Sequence, residues 1–198
     1  MTHAKRPVVI LLVGGNGAGK STFYNTYLAP RKIPFLNADV LAREMWPDAP
    51  EAHSYEAMRL VERSRHLALA QQRSFCFETV FSHPSKLDFI HEAKCAGYAV
   101  ELYAIHLTAI PLNRLRVEQR VGEGGHAVPE AKIGPRVERS LGQLIQALPV
   151  ADQALLLDNS RVHDPFRIQA RFHQGRLLYA AEALEPWAKT VIDAFQSE

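Results

Sequence analysis

The fold of this chain is decided by one stretch, Gly14-Gly15-Asn16-Gly17-Ala18-Gly19-Lys20-Ser21. It matches the pattern G-x-x-x-x-G-K-[ST] at every specified position. It also follows the apolar run Val8–Val13, which is typical of a strand buried on both faces. In such a strand–loop–helix unit, glycines let backbone N–H groups converge on phosphate oxygens, and the helix N-terminus favours negative charge. The stretch therefore predicts a loop that binds the phosphates of a nucleotide.

The loop residues predict binding of ATP with Mg²⁺. Lys20 is expected to reach the β- and γ-phosphates, Ser21 to coordinate Mg²⁺, and Thr22 to contact the α-phosphate. ATP is favoured over GTP because the sequence has no Asn-Lys-x-Asp-type guanine motif. The predicted nucleotide-binding residues are Gly14, Gly15, Asn16, Gly17, Ala18, Gly19, Lys20, Ser21 and Thr22.

Composition favours one globular domain over residues 1–198 of a cytoplasmic protein. The chain is 47% hydrophobic and 22% charged, and no apolar run reaches the ~18–20 residues that span a bilayer. Lys plus Arg total 23 against 21 for Asp plus Glu, which gives no support for a nucleic-acid or membrane partner. Cys76 and Cys95 have no metal or redox spacing, so a reducing compartment is expected.

The remaining sequence alternates strand and helix patterns, which predicts an α/β fold with a five-stranded parallel sheet and helices on both faces. A C-terminal hairpin (residues 166–172 and 176–181) and a last helix are expected to follow. The predicted strands are Val8–Val13, 33–36, 75–77, 100–107 and 154–157. The predicted helices are 21–28, 40–46, 51–72, 86–95, 111–121, 129–148 (interrupted at Gly134-Pro135) and 185–195.

Two carboxylates are predicted to lie at the carboxyl edge of this sheet, where ligands bind in open α/β folds. Asp39 follows the second strand, where it is either a general base for a hydroxyl acceptor or the N-cap of the next helix. Glu78 ends the third strand, in the place of the acid that usually holds a nucleotide-bound metal. The alternative for Glu78 is a solvated residue at a strand end.

Residues of about 110–140 are predicted to form a lid-like insert. Its basic side chains either clamp the transferring phosphoryl group or belong to two ordinary solvated helices. Glycines at 122, 124 and 125 are expected to permit closure. His83 and His126 each have two readings, a contact to substrate or phosphate and a purely local loop role. The basic residues of the insert are Arg114, Arg116, Arg120, Lys132, Arg136 and Arg139.

The chain resembles the zeta-toxin family of P-loop kinases over about residues 8–160. The resemblance rests on the loop with Thr22, on Asn37-Ala38-Asp39, on Phe77-Glu78-Thr79, and on later strings. The later strings are Arg120-Val121, Gly124-Gly125-His126-Ala127-Val128-Pro129, Arg136, Arg139-Ser140 and Asp158-Asn159-Ser160.

The resemblance implies the sheet order 2-3-1-4-5 and a set of site roles. Asp39 is implied as the general base, and Lys20, Arg120 and Arg136 as the other catalytic residues. Ser21 is implied as the metal ligand. Glu78 is implied at the acceptor. The full set of residues predicted to bind the acceptor is Asp39, Glu78, Thr79, His83 and His126.

Family members phosphorylate the sugar 3′-hydroxyl of UDP-N-acetylglucosamine with ATP, and several are toxins paired with an antitoxin. The implied function is thus ATP-dependent phosphorylation of a small-molecule hydroxyl, most naturally on this sugar nucleotide. Two alternatives stay open, a kinase for another sugar or nucleotide, and a nucleotide-binding module that acts through a protein partner.

Overall fold

A computed structural model describes residues 6–122 and 133–197 of the chain. Its strands form one sheet, in the order β2-β3-β1-β4-β5-β6-β7. The first five strands are parallel, and the last two join the sheet antiparallel. The strands are β1 (Val8–Val13), β2 (Phe35–Leu36), β3 (Phe75–Thr79), β4 (Ala99–His106), β5 (Gln153–Asp158), β6 (Arg167–His173) and β7 (Arg176–Ala180).

Helices connect the parallel strands. The first, α1, continues as a π-helical turn (Tyr24–Leu28) and a 3-10 turn (Ala29–Arg31). Among the described helices, none is both long and apolar enough to cross a membrane. The α-helices are α1 (Lys20–Phe23), α2 (Ala38–Met45), α3 (Ser54–Ala70), α4 (Ser85–Cys95), α5 (Ile110–Gly122), α6 (Ile133–Ala147) and α7 (Pro186–Ser197).

The predicted order 2-3-1-4-5 is confirmed, because β2 pairs with β3 and β3 pairs with β1. The predicted strand count of five is wrong, since the sheet has seven strands. The C-terminal hairpin was expected as a separate element, but β6 pairs antiparallel with β5. This pairing satisfies the N–H and C=O groups that β5 would otherwise expose at a sheet edge.

The sheet is buried on both faces around β1, whose residues from Val9 to Val13 are 0% exposed. Val9, Leu11 and Val13 pack into a core with residues of α3, α4, α6 and α7, and Ile10 and Leu12 pack into a second core with Phe23 and Leu28. Successive side chains of a strand point to opposite faces, so a continuous apolar run is what this position requires.

Two helices differ from their sequence predictions. Helical spacing within residues 51–72 predicts one apolar face with Tyr55, Met58, Val61 and Leu69. In α3, however, Tyr55 and Met58 are 77% and 52% exposed. The buried row is instead Ala57, Val61, Arg65 and Leu69, spaced four residues apart, so it lies on one side of the helix.

The predicted interruption of the later helix at Gly134-Pro135 is wrong. Both residues lie in the first turn of α6, where proline costs no helical hydrogen bond. The part of the predicted helix before Ile133 lies outside the described residues.

Candidate active site

The carboxyl ends of β1, β2, β3 and β5 open onto one cleft of about 800 Å³. Three groups of residues line it. The loop and α1 contribute Asn16, Gly17, Gly19, Lys20, Ser21 and Thr22; the β2 and β3 side contributes Leu36, Ala38, Asp39, Met58, Val61, Arg65, Glu78, Thr79, Val80 and Lys86; and the remaining wall is Arg116, Arg136, Asn159, Arg161, Val162 and Pro165.

The loop needs glycine at two positions for lack of space and for backbone conformation. Gly14 has φ +150°, and a Cβ there would lie 2.0 Å from the carbonyl oxygen of Ile105. Gly19 has φ +96°, and a Cβ there would lie 2.4 Å from Nδ2 of Asn159. Side chains at either position would push the loop away from β4 and from the turn after β5.

Lys20 is held inside this loop. Its Nζ donates to the carbonyl oxygens of Gly14 and Gly15, each at 3.0 Å, and the residue is only 8% exposed. The ammonium group therefore lies against the start of the loop, and Lys20 lines the cleft in which its β- and γ-phosphate contacts are predicted.

Two buried asparagines fix the loop from outside. Asn113 of α5 donates from Nδ2 to the carbonyl oxygen of Asn16 at 2.9 Å, and Asn159 donates to that of Ala18 at 2.9 Å. Both bonds are made to loop carbonyls, so they stabilise the loop conformation without engaging its N–H groups. Sequence reasoning had not selected Asn113, and nothing in the local pattern around it distinguishes it from a solvated helical residue.

Ser21 and Glu78 are brought into direct contact. The Ser21 hydroxyl donates to Glu78 Oε2 at 2.7 Å, from the start of α1 to the end of β3. The pair sets a hydroxyl and a carboxylate at the mouth of the phosphate-binding loop. Both are oxygen ligands of the kind that Mg²⁺ prefers.

Asp39 lines the cleft but does not cap its helix. Asn37 is the N-cap of α2, and its Oδ1 accepts from the backbone N–H groups of Asp39 and Val40 at 2.8 and 3.1 Å. The Asp39 side chain is exposed and forms no hydrogen bond or ion pair with a described residue. The prediction that Asp39 is the N-cap is therefore wrong, because the helix starts earlier than predicted and Asn37 caps it.

Of the other predicted residues, some line the cleft and others do not. Thr79 lines the cleft, and its Oγ1 accepts from the backbone N–H of Phe81 at 3.0 Å, which holds a turn with φ +62° at Phe81. His83 is exposed, lies outside the cleft lining and bonds locally to Ser85. Arg136 lines the cleft from α6. Arg120 lies in α5, but its side chain is outside the described residues, as is the whole of His126.

Sequence reasoning missed four basic residues of the cleft as site residues: Arg65, Lys86, Arg116 and Arg161. Arg116 was noted only as one of several cations of the insert, and the other three were not selected. A signal for Arg65 was available, because a charged residue occupies one of the buried positions that recur every four residues in α3. The sequence gives no comparable signal for Lys86, because this residue lines the cleft with Arg65 only once α3 and α4 pack together.

The turn after β5 supports the loop through polar contacts. Asp158 is fully buried and accepts from the Ser160 hydroxyl at 2.7 Å, and Thr108 donates to Glu185 at 3.0 Å within the same cluster. Asn159 is the member of this turn that reaches the cleft. Its backbone N–H donates to the carbonyl oxygen of His106 at 3.0 Å.

His106 is a buried neutral group behind the loop. It is 2% exposed, its ring lies 4.9 Å from that of Trp187, and its Nε2 has no hydrogen-bond partner among the described residues. Burial, with a smaller effect from the charge of Lys20, lowers the pKa of His106 from 6.5 to about 3.

We expect this histidine to make the protein acid-sensitive. Because the pKa is lower in the folded state, the unfolded state binds the proton first. Above about pH 6.5, His106 does not lower the free energy of unfolding. As the pH falls from there toward about 3, it lowers the free energy of unfolding by up to about 1.4 kcal/mol per pH unit. His106→Phe should flatten this slope in urea unfolding between about pH 7 and about pH 5. Equal slopes for the two proteins would contradict the assignment.

The fold and the cleft together define an α/β P-loop kinase-like protein. Its phosphate-binding loop follows the central strand of a parallel sheet, and Asp39, Glu78 and several basic residues surround it. The family model for the zeta toxin matches residues 1–154. The chain belongs to the zeta toxin family, as its motifs indicate.

Individual proteins are similar to this chain in sequence or in fold. An uncharacterized protein of Haemophilus influenzae is 30% identical over 121 residues, which are 61% of this chain and 86% of that protein. The crystal structure of AvrRxo1-ORF1:-ORF2 with ATP has a TM-score of 0.71 and 17% identity, covering 96% of this chain. This chain spans only 64% of the length of that one.

A third relative is a structure of the PezAT chromosomal toxin–antitoxin system of Streptococcus pneumoniae. It has a TM-score of 0.61 and 17% identity, and covers 98% of this chain and 80% of its own. At such identities the two solved structures show the fold alone. Family and fold together support a nucleotide-binding, kinase-like function.

Proposed function

We propose that this protein is an ATP-dependent kinase that phosphorylates a hydroxyl of a small molecule, with UDP-N-acetylglucosamine as the first acceptor to test. The observation that carries the proposal is the place of Asp39. Its carboxylate lines the same cleft as Lys20 and Ser21, and Asn37 relieves it of the capping role. The acceptor named is the one that the family resemblance implies.

In the proposed reaction, the acceptor hydroxyl oxygen forms a bond to the γ-phosphorus. The bond between that phosphorus and the β–γ bridging oxygen breaks, and ADP leaves. Asp39 takes the proton of the hydroxyl as general base. Lys20 and the loop N–H groups bind phosphate oxygens, and Arg116 and Arg136, which line the same cleft, stabilise the negative charge.

Ser21 and Glu78 fit a Mg²⁺ ion. Mg²⁺ is usually held by one or two carboxylates together with substrate phosphates and water, so few protein ligands are needed. Within residues 6–122 and 133–197, no group of three His, Cys, Asp or Glu side chains could hold a metal alone. When bound, the ion would neutralise charge on the phosphate oxygens. The 2.7 Å contact to Ser21 favours this metal role for Glu78 over the acceptor role implied by the resemblance.

The direct test incubates the protein with ATP, Mg²⁺ and UDP-N-acetylglucosamine and follows the products by phosphorus NMR. A new phosphomonoester together with ADP supports the proposal. ADP formed only with a different metabolite supports a kinase with another acceptor. Nucleotide binding without turnover on any acceptor would overturn the proposal in favour of a binding module.

Glu78→Gln is expected to raise the Mg²⁺ concentration needed for half-maximal turnover. Loss of one charged ligand should shift it by roughly 10-fold or more, since a contact to a charged group is typically worth ~1.5–3 kcal/mol. The measurement is a Mg²⁺ titration of turnover at saturating ATP. Glu182→Gln, which makes the same change at an exposed position, is the control. An unchanged titration for Glu78→Gln would return this residue to the acceptor role.

An antitoxin partner is part of the same proposal. It is supported by the family and by the described toxin–antitoxin system of the Streptococcus pneumoniae relative. If the protein is a toxin, bacterial growth should slow when it is expressed, and Asp39→Asn should relieve the effect. Equal inhibition by both proteins would argue against toxicity through phosphoryl transfer.

A further inference from the structure

Two basic side chains that the proposed reaction does not use face the same part of the cleft. Arg65 lies on α3 and is 9% exposed, and Lys86 lies in the first turn of α4 and is half-buried. Both line the cleft, and the Arg65 guanidinium lies over the ring of Phe77, the residue before Glu78 in β3. Arg65 therefore lies on the β3 side of the cleft.

Arg65 is held in place by aromatic rings and not by an acid. Its guanidinium carbon lies 4.7 Å from the ring centre of Phe77 and 5.4 Å from that of Phe89. Such stacking stabilises a cation but uses none of its N–H donors. Arg65 forms no hydrogen bond or ion pair with a described residue, and its Nε is buried without a partner.

Lys86 adds a second positive charge to the same place. Burial, and next the charge of Arg65, lower the pKa of Lys86, while Glu62 opposes this. Glu62 is exposed and forms no ion pair with either of these two described residues. Two like charges in a partly buried cleft repel each other, and burying them unpaired is costly. An anion bound between them would satisfy both.

We propose that Arg65 and Lys86 form a subsite for the phosphate or diphosphate group of the acceptor. The inference rests on the proposed function and deepens it, because it assigns to Arg65 and Lys86 the selection of a phosphorylated acceptor over a neutral one. An acceptor without the anion would leave one buried and one half-buried cation unpaired, and a site built for a polar contact strongly rejects an analogue that lacks it. Arg65 offers a planar fork of donors that suits phosphate oxygens.

The test measures binding and needs no turnover. The phosphate-binding loop is first saturated with a fluorescent, non-hydrolysable ATP analogue and Mg²⁺, and UDP is then titrated by calorimetry. UDP carries the diphosphate but no sugar to be phosphorylated, and uridine is its neutral counterpart. The saturated protein is expected to bind UDP far more tightly than uridine. Arg65→Met and Lys86→Met should each weaken UDP binding by roughly 10- to 100-fold.

Arg63→Met is the matched control, since Arg63 lies on the same helix, is exposed and does not line the cleft. It should bind UDP like the wild type. The subsite is overturned if the saturated wild type does not bind UDP, if UDP displaces the ATP analogue, or if Arg65→Met and Lys86→Met bind as tightly as the wild type. Should Arg65→Met fail to fold in thermal melts, Lys86→Met decides the question alone, because Lys86 has no hydrogen bond to lose.

This design separates the two proposals. Arg65-dependent UDP binding without phosphorylation of any acceptor would overturn the proposed kinase reaction and leave the subsite standing. Phosphorylation of N-acetylglucosamine as efficiently as of UDP-N-acetylglucosamine would do the opposite, leaving the kinase and removing the subsite.

Discussion

Asp39→Asn should lower single-turnover phosphoryl transfer by on the order of 10²–10⁴-fold, the usual contribution of a positioned acid–base group. Asparagine has the shape of aspartate but cannot accept the hydroxyl proton. ATP affinity should stay near the wild-type value, because Lys20 and the loop are untouched. The free energy of unfolding should fall by no more than about 1 kcal/mol, the most that a charge in the first helical turn of an exposed site usually contributes.

Two further variants on α2 make this prediction sharp. Glu44→Gln applies the same chemical change to an exposed residue of the same helix, and turnover should not change. Asn37→Ala removes the actual cap and should lower the free energy of unfolding by about 1 kcal/mol. Near-normal turnover in Asp39→Asn would remove the general base from the proposal. A capping role would not explain Asp39 either, because Asn37 is the N-cap of α2.

The phosphate-binding loop and β1 were predictable because their residue types follow from local backbone conformation and burial. Gly14 and Gly19 have positive φ, and the apolar run before them has the composition of a strand buried on both faces. Backbone conformation and burial of this kind depend on residues adjacent in sequence. For this reason β1 has the predicted bounds.

The cap of α2 was misassigned for a local reason. Asn37 and Asp39 are both good N-cap residues, and a helix boundary read from sequence is uncertain by one or two residues. Only the hydrogen bonds of Asn37 to the next two N–H groups settle which one caps. The correction matters for function, since it leaves the Asp39 carboxylate available to the cleft.

Contacts between distant elements account for what the sequence did not reveal. Whether the C-terminal hairpin joins the sheet depends on the edge that β5 offers, and no property of residues 166–181 records it. Arg65 and Lys86 likewise come together only because α3 and α4 pack over the same end of β3. Local sequence patterns predict neither the strand pairing nor the meeting of the two cations, because both are contacts between residues far apart in sequence.

Lys20→Ala is the second large effect that we expect, and it should differ in kind from that of Asp39→Asn. The Lys20 ammonium is held by the carbonyls of Gly14 and Gly15 inside the loop, so it meets the phosphates in the ground state as well as in the transition state. ATP affinity should therefore fall by roughly 10- to 100-fold, the value of one strong charge-assisted contact.

Turnover at saturating ATP should fall further in Lys20→Ala, by on the order of 10²–10³-fold, because a positioned donor contributes most where charge develops. Nucleotide titration and single-turnover transfer measure the two effects separately. Lys189→Ala, which removes an exposed lysine paired with Asp193 on α7, should change neither. Wild-type ATP affinity in folded Lys20→Ala would mean that the ammonium group supports the loop carbonyls and does not contact the nucleotide. The loop N–H groups would then carry phosphate binding alone.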